Sequence, residues 1–270
     1  MGILENRTAI IIGASSGVGY GTALRYAKEG ANVIAGARRL NKLEELANDA
    51  EKRGFTGKIT PVKCDVDTEG DLDRILDAAV SAYGTVDILA CIAQGALNDQ
   101  RDFEHTDAAN VRAFMEGGPV YTLEMIQKCL PYMKKQHYGR ILTCASGAGI
   151  RYTPNTCAYG MAKAAIISLT KTAAMELGKY GITTNCFLPV ATNQYFENGS
   201  SAAAIPVNIM NALAPTGVFG KPYEDVSPLL AFLASEQGSY INGQIIEIDG
   251  GMGQVSPATI MAAFGAMKKD

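Results

Sequence analysis

Three side chains near the middle of the chain have the types and spacing of a proton-transfer site. Ser146 follows an apolar run, and Tyr159 and Lys163 lie four residues apart in a helical pattern. Residues four apart share one face of a helix, so the phenol and the ammonium should be neighbours. A phenol ionises at about pH 10, and a nearby ammonium favours the phenolate. With a serine hydroxyl, this pair can exchange a proton with a ketone or alcohol oxygen.

The serine is predicted at the carboxyl end of a buried strand. Residues 140 to 145 are mostly apolar and lead into Gly147-Ala148-Gly149, as expected for a strand that ends in a turn. Ligands of open α/β sheets bind at this edge, so we expect Ser146 to face a ligand. Tyr-x-x-x-Lys alone is more often an ordinary helix-surface pair, and the interpretation therefore depends on context.

A second motif near the amino terminus has the form of a phosphate-binding turn. The β-branched run from Thr8 to Ile12 predicts a strand, Gly13 to Gly19 is rich in glycine, and a helical pattern follows from Tyr20 to Glu29. Glycines let the backbone approach a pyrophosphate, and a helix start offers unpaired N–H groups and a favourable dipole. The sequence therefore predicts a dinucleotide site beside the proton-transfer residues.

Together these residues resemble the short-chain dehydrogenase/reductase family. Its Thr-Gly-x-x-x-Gly-x-Gly motif is matched from Gly13 to Gly19, with Ile12 in place of the threonine. Ser146 precedes Tyr159 by the family's usual thirteen residues. The resemblance extends to about residue 254 and includes Asp65-Val66, Asn185, Pro189 and the segment Gly243 to Gly251.

The resemblance implies a role for each matched residue. Ser146, Tyr159 and Lys163 would be catalytic. The cofactor would be held by glycine-turn residues and by residues at the ends of the strands, namely Gly13, Ser15, Ser16, Gly17, Val18, Gly19, Arg38, Arg39, Asp65, Val66, Ala93, Tyr159, Lys163, Pro189, Val190 and Thr192.

Strand and helix signals alternate along the whole chain. Strands are predicted near 8–12, 32–36, 59–64, 87–92, 140–145, 182–188 and 244–248. Such alternation predicts an α/β fold with a parallel sheet covered on both faces. The resemblance adds a Rossmann-like, doubly wound order of seven strands. We expect one domain over 1–254, with a substrate loop at about 190–222, and a carboxyl-terminal extension over 255–270.

The end of the second predicted strand bears on the choice of cofactor. Folds that prefer NAD commonly place an acidic residue there, whereas this chain has Ala37-Arg38-Arg39. A guanidinium pairs with a 2′-phosphate through bonds of roughly 1.5 to 3 kcal/mol each. By resemblance to NADP-preferring members, Arg38 would be the main contact, helped by Ser15 and Arg39. The alternative is that both arginines form a solvated helix start. We predict NADP(H).

Two positions depart from the family pattern. The usual Asn-Asn-Ala-Gly after the fourth strand is replaced by residues 91 to 94, which end in Gln94. Gly118 stands where many relatives carry an asparagine that holds a water relaying protons from the lysine. Gly117-Gly118-Pro119 also predicts a kink or break in the helix. Freed backbone carbonyls, Glu116 and Tyr121 are candidates to hold the water instead.

Composition and charge narrow the classes of function. A net charge of -3 without a basic cluster argues against nucleic acid as a partner. No secretory signal and no apolar run of about eighteen residues are found, so we expect a cytoplasmic protein with no membrane partner.

Six cysteines without metal-ligand spacing predict reduced buried thiols and no metal. His105 and His137 lie in polar segments, which disfavours a serine-histidine-aspartate hydrolase.

The predicted function is hydride transfer between NADP(H) and a small hydrophobic molecule. The substrate loop is apolar from Ala202 to Phe219, which suits a bulky ketone or secondary alcohol, although such residues can equally pack on the domain. Short matches at Pro189 to Thr192 and Asp249 to Gln254 resemble bacterial hydroxysteroid dehydrogenases that act on bile acids. The alternatives are a generic carbonyl reductase for polycyclic or terpenoid ketones and a non-catalytic nucleotide-sensing protein.

The family resemblance also implies a homo-oligomer, either a dimer or a tetramer. Apolar residues of the extension fall near helical spacing, so this segment is predicted to cover the substrate entrance or a neighbouring subunit; they are Ile260, Met261, Phe264 and Met267.

Overall fold

Seven parallel strands form one sheet in the order β3-β2-β1-β4-β5-β6-β7. The computed structural model describes residues 2–151, 153–192, 211 and 214–255. The strands are β1 Thr8–Ile12, β2 Asn32–Ala37, β3 Ile59–Lys63, β4 Ile88–Cys91, β5 Gly139–Cys144, β6 Ile182–Pro189 and β7 Ile245–Ile248. The order reverses between β1 and β4, which opens a crevice at the carboxyl ends of these two strands.

Helices follow most of the strands and cover both faces of the sheet. They are α1 Gly17–Lys28, α2 Leu40–Lys52, α3 Asp71–Tyr83, α4 Ala108–Met115, α5 Tyr121–Lys135, α6 Cys157–Leu177 and α7 Ser227–Ala234. A π-helical segment, Glu116–Val120, joins α4 to α5, and a second one, Pro222–Val226, precedes α7. In the part of the chain described above, no helix is both long and apolar enough to cross a membrane.

Successive side chains of β1 point to opposite faces of the sheet and pack into two separate cores. Ala9 and Ile11 pack with residues of α1, α2 and α7 on one face of the sheet. Ile10 and Ile12 pack with residues of α3 and α5 on the other. All four are at most 1% exposed, as expected for a strand that is covered on both faces. This arrangement confirms the predicted doubly wound α/β fold.

The predicted strands all occur, with ends that differ by at most one residue, a normal uncertainty. The predicted interruption at Gly117-Gly118-Pro119 is confirmed as a π-turn, so the chain widens there but stays helical. All six cysteines are free thiols, as predicted. Cys64, Cys91, Cys129 and Cys186 are buried, whereas Cys144 and Cys157 are only half-buried, contrary to the prediction.

Candidate active site

The carboxyl end of β5 and the start of α6 bring the three predicted catalytic residues to one edge of the sheet. Ser146 lies two residues beyond the last residue of β5, and its Oγ accepts a hydrogen bond from the Ala148 N–H at 3.2 Å. Tyr159 and Lys163 occupy successive turns of α6. A Cβ atom on Gly149 would lie 2.8 Å from the Lys163 carbonyl carbon, so the turn after Ser146 packs directly on this helix.

Lys163 is a buried ammonium held by the edge of the sheet. The residue is 2% exposed, and its Nζ donates to the Cys144 carbonyl at 2.9 Å. Burial of an amine is costly unless it is hydrogen-bonded, so this carbonyl fixes where the charge lies. The same Nζ is 5.5 Å from the centre of the Tyr159 ring. The predicted pairing of phenol and ammonium is therefore present in the structure.

The half-buried ring of Tyr159 rests against an aromatic residue that the sequence did not reveal. Phe114, in the last turn of α4, is fully buried and meets Tyr159 edge to face, with ring centres 6.0 Å apart. Aromatic pairs prefer this geometry, so Phe114 helps to set the orientation of the phenol. Its only signal in the sequence was an apolar residue in a helical pattern.

The glycine turn has the shape that a dinucleotide phosphate requires. Gly13 has φ +100°, and a Cβ there would lie 2.7 Å from the Ala93 nitrogen. A Cβ on Gly19 would lie 2.1 Å from the Gly13 carbonyl oxygen. Helix α1 begins at Gly17 without a side-chain cap from Ser16, and the N–H groups of a first turn have no partner within the helix. The turn therefore fits an anion at the helix start.

The two arginines after β2 have different neighbours. Arg39 donates from Nη2 to Ser15 Oγ at 3.0 Å and to Ser16 Oγ at 2.9 Å, so it reaches the glycine turn. Arg38 instead lines a cavity of about 260 Å³ together with Gln94 and residues 96 to 99. Both arginines are exposed. The structure thus brings Arg39, which was predicted to be a helper, into contact with the phosphate turn.

Asp65 and Val66 follow β3, and Ala93 follows β4, so these three predicted cofactor residues lie at the carboxyl edge of the sheet. Neighbouring Asp67 was not singled out from the sequence. Desolvation and then the Asp65 carboxylate raise the pKa of Asp67, whereas the Arg38 guanidinium lowers it. Arg38 and Asp67 are therefore close enough to interact electrostatically.

The last group of predicted cofactor residues is at the end of β6. Pro189 ends the strand, the Val190 N–H donates to the Ile248 carbonyl at 2.9 Å, and the Thr192 N–H donates to the Gly220 carbonyl at 2.8 Å. These bonds fix the first residues of the predicted substrate loop. The apolar run 202–207, most of the other apolar loop positions and the tail 256–270 lie outside the described residues.

Two of the candidates to hold a relay water, Tyr121 and the Gly118 carbonyl, have hydrogen-bond partners within the protein. The Tyr121 hydroxyl is buried and donates to the Ala93 carbonyl at 2.8 Å. The Gly118 carbonyl accepts from Thr122 Oγ1 at 2.8 Å. Glu116 is exposed. Beside Gly118 lies the side chain of Gln94, whose Oε1 would be 2.7 Å from a Cβ at position 118. The two departures from the family pattern are therefore in contact with each other.

The histidines are placed as predicted. The His105 side chain is 72% exposed and pairs with Asp102, and His137 is also exposed. Neither histidine is part of the site formed by Ser146, Tyr159 and Lys163.

Fold and site together define a nicotinamide-dependent oxidoreductase of the doubly wound α/β class. The chain belongs to the short-chain dehydrogenase/reductase family: a family model described as enoyl-(acyl carrier protein) reductase matches residues 13–253. A 3-oxoacyl-[acyl-carrier-protein] reductase of Thermotoga maritima is 35% identical over 92% of this chain and 98% of its own. A 12alpha-hydroxysteroid dehydrogenase of a Clostridium species is 32% identical over 94% of this chain and 99% of its own.

Solved structures show the same likeness. A 7 alpha-hydroxysteroid dehydrogenase in complex with NADH and 7-oxo glycochenodeoxycholic acid has a TM-score of 0.82 and 28% identity, over 92% of this chain and 94% of its own. An NADPH-dependent reductase involved in bacilysin biosynthesis has a TM-score of 0.82 and 26% identity, over 92% and 98% of the two chains.

Proposed function

We propose that this protein is an NADP(H)-dependent oxidoreductase that interconverts a bulky hydrophobic ketone and its secondary alcohol. The observation that carries the proposal is the buried Lys163 ammonium, held at 2.9 Å from the Cys144 carbonyl and 5.5 Å from the Tyr159 ring centre. A buried cation beside the phenol supports a role for Tyr159 in proton transfer.

The chain's own residues divide the proton chemistry among them. Ser146 Oγ, oriented by the Ala148 N–H, donates to the substrate oxygen. Tyr159 gives the proton during reduction and takes it during oxidation, as a general acid or base. Lys163 stabilises the phenolate, and its ammonium has three N–H donors, enough to bind a ribose hydroxyl besides the Cys144 carbonyl. The nicotinamide supplies or accepts the hydride when it is bound.

The preference for NADP(H) is supported by the end of β2. Ala37 ends the strand, no acidic residue follows it, and two arginines stand next. Arg39 is hydrogen-bonded to Ser15 and Ser16, so a 2′-phosphate at this turn would meet one guanidinium and two hydroxyl groups. Guanidinium groups bind phosphate with matched geometry. We therefore assign Arg39 a direct role in phosphate binding, with Arg38 beside it.

Relatives favour two classes of substrate. The hydroxysteroid dehydrogenases support a steroid or bile acid, in line with the short matches at Pro189 to Thr192 and Asp249 to Gln254. The Thermotoga maritima reductase supports a 3-oxoacyl thioester as the second candidate. Both substrates present a ketone to the same serine and tyrosine. The difference between them lies in the groups that flank the carbonyl.

The test is consumption of reduced nicotinamide by the purified protein. NADPH and NADH are each supplied with 7-oxo glycochenodeoxycholic acid, with a 3-oxoacyl thioester and with a short linear ketone as the matched small control. The proposal predicts a higher kcat/KM with NADPH than with NADH, and with a bulky ketone than with the linear one. Equal use of both nicotinamides would reject the cofactor assignment. Preference for the linear ketone would reject the substrate assignment.

A further inference from the structure

The loop after β4 packs closely against the π-turn between α4 and α5. Two glycines form the backbone contact, and the side chain of Gln94 lies beside it. The Gly95 N–H donates to the Gly117 carbonyl at 2.7 Å, and a Cβ on Gly117 would lie 2.7 Å from the Gly95 Cα. Next to this contact, the Gln94 amide fills the space that a side chain on Gly118 would need. The two backbones can approach this closely only because both contact positions are glycine.

The Gln94 amide binds the backbone of the last turn of α4, just before the π-turn begins. Gln94 Nε2 donates to the Phe114 carbonyl at 3.1 Å and to the Gly95 carbonyl at 3.1 Å. Two carbonyl acceptors fix the orientation of the amide, because its oxygen could not replace its nitrogen there.

This orientation of the Gln94 amide leaves its oxygen without a hydrogen bond from any described residue. That oxygen, Oε1, is also buried. Leaving a buried acceptor unpaired is unfavourable, so the bond to Phe114 is retained against a local penalty.

We propose that Gln94 is a positioning residue for Tyr159 and that it acts through Phe114. Gln94 anchors the backbone of Phe114, and the Phe114 ring packs on Tyr159 with ring centres 6.0 Å apart. The chain of contacts runs from the carboxyl end of β4 through the last turn of α4 to the phenol on α6. The inference rests on the proposed role of Tyr159 in proton transfer.

Removal of the amide should slow the chemical step and leave cofactor affinity unchanged. For Gln94→Ala we expect kcat to fall by roughly tenfold to a hundredfold, the range that a small displacement of a reacting group produces. The solvent deuterium isotope effect on kcat should rise, because proton transfer becomes more nearly rate-limiting. KM for NADPH should stay within about twofold, since Gln94 is assigned no phosphate contact.

A second variant perturbs the same contact from its other side. A Cβ on Gly118 meets only the end of the flexible Gln94 side chain, so Gly118→Ala should fold while displacing the amide. Its kcat should fall as in Gln94→Ala. In the double variant Gly118→Ala should add less than about a twofold loss, because the displaced group is already absent. Full additivity of the two losses would overturn the inference.

Gln136→Ala is the matched control. Gln136 Nε2 also donates to two backbone carbonyls, those of Val86 and Tyr138, but at the opposite edge of the sheet. Loss of this amide in Gln136→Ala should lower thermal stability without changing kcat or the isotope effect. Equal kinetic changes in Gln94→Ala and Gln136→Ala would reduce the role of Gln94 to stability alone and would contradict the proposal.

The outcomes also separate this inference from the proposed function. If wild-type protein turns over 7-oxo glycochenodeoxycholic acid or the thioester, and Tyr159→Phe does not, the function stands whatever Gln94→Ala does. An unchanged kcat in Gln94→Ala would then refute the positioning role alone. A raised KM for NADPH with normal kcat would assign Gln94 to the cofactor cavity instead and would also refute it. Equal turnover by wild type and Tyr159→Phe would refute the proposed function itself.

Discussion

Arg38 and Arg39 are adjacent in the chain but face different surroundings. Arg39 is tied to the two serines of the glycine turn, whereas Arg38 lies beside Asp67 and the cavity after β4. A phosphate at the turn would share the hydrogen bonds that Arg39 now makes. Arg38 lines the cavity after β4 instead, so its contribution to phosphate binding should be smaller.

We therefore predict that Arg39→Ala impairs the use of NADPH more than Arg38→Ala does. Loss of one charge-assisted bond of roughly 1.5 to 3 kcal/mol corresponds to a rise in KM for NADPH of about tenfold or more. KM for NADH should change little in either variant. Steady-state kinetics with both nicotinamides measures this directly. A similar rise in KM for NADH would show that Arg39 supports the turn rather than the phosphate.

Residues with a short-range signature could be predicted from the sequence, and residues defined by distant contacts could not. Tyr159 and Lys163 share a helix face, so their spacing alone placed them together. Phe114 reaches Tyr159 from another helix, and Gln94 reaches Phe114 from a loop. Gln94 was visible only as a departure from the family pattern. Its contact with Gly118 depends on how two segments pack.

At the scale of elements, the turn between β1 and α1 depends on the absence of a side chain. A Cβ on Gly19 would lie 2.1 Å from the carbonyl oxygen of Gly13, and backbone at that position cannot swing aside as a side chain can. The start of α1 would have to move away from the turn. The N–H groups that are to bind the pyrophosphate would then lose their common direction.

Gly19→Ala is therefore expected to abolish NADPH binding and to destabilise the fold by about 1 to 3 kcal/mol, the usual cost of overpacking. Gly178→Ala is the matched control, since its Cβ would meet Asn242 Nδ2 at an ordinary 3.4 Å and the backbone there is α-helical. That variant should bind NADPH normally. Fluorescence titration with NADPH and urea unfolding measure the two effects. Normal NADPH binding by Gly19→Ala would contradict the role given to the turn.

Strands and helices could be predicted where a single residue pattern ran through the whole segment. β-Branched apolar runs marked the strands, and Gly117-Gly118-Pro119 marked the interrupted helix. The sequence could not show whether the helix breaks or forms a π-turn there, because both structures can contain the same residues. The contact between Gly117 and Gly95 belongs to the π-turn, and it links segments more than twenty residues apart in the chain.

Across the molecule, thiols and phenols on both sides of the sheet are shielded from water, Cys129 fully and Cys144 and Tyr20 partly. Burial raises the pKa of Cys129 to about 12 and that of Cys144 to about 11, from 9.0 for an ordinary thiol. Burial and then the Asp49 carboxylate raise the pKa of Tyr20 to about 12, from 10.0. The folded protein thus keeps these protons at a pH where the unfolded chain has lost them.

The free energy of unfolding should consequently fall as pH rises above about 9 and keep falling until about 12. Over that interval the unfolded state binds fewer protons than the native state, so the slope against pH is negative. For a buried thiol, a tenfold difference in acidity between the folded and unfolded protein corresponds to about 1.4 kcal/mol. Urea unfolding at about pH 8 and about pH 10.5 tests this, and the fall should be smaller in Cys129→Ala. Equal stability of the wild type at both values would contradict the prediction.

The order of the sheet illustrates the limit of sequence reasoning at this scale. Alternating elements predicted a parallel sheet, but the placement of β1 beside β4 came from the family resemblance. This adjacency brings Ala93 against Gly13 and so creates the crevice for the cofactor. Local patterns carry no information on which strands become neighbours.

The most direct test of the account is the rate of NADPH oxidation, followed by reduced-nicotinamide absorbance, in wild type and Tyr159→Phe. The test uses 7-oxo glycochenodeoxycholic acid and a 3-oxoacyl thioester as substrates. We predict turnover by the wild type and a rate at least about a hundredfold lower in Tyr159→Phe, the usual worth of a general acid, with NADPH affinity unchanged. Equal rates in the two proteins would contradict the assignment of Tyr159 as the proton carrier and, with it, the proposed mechanism.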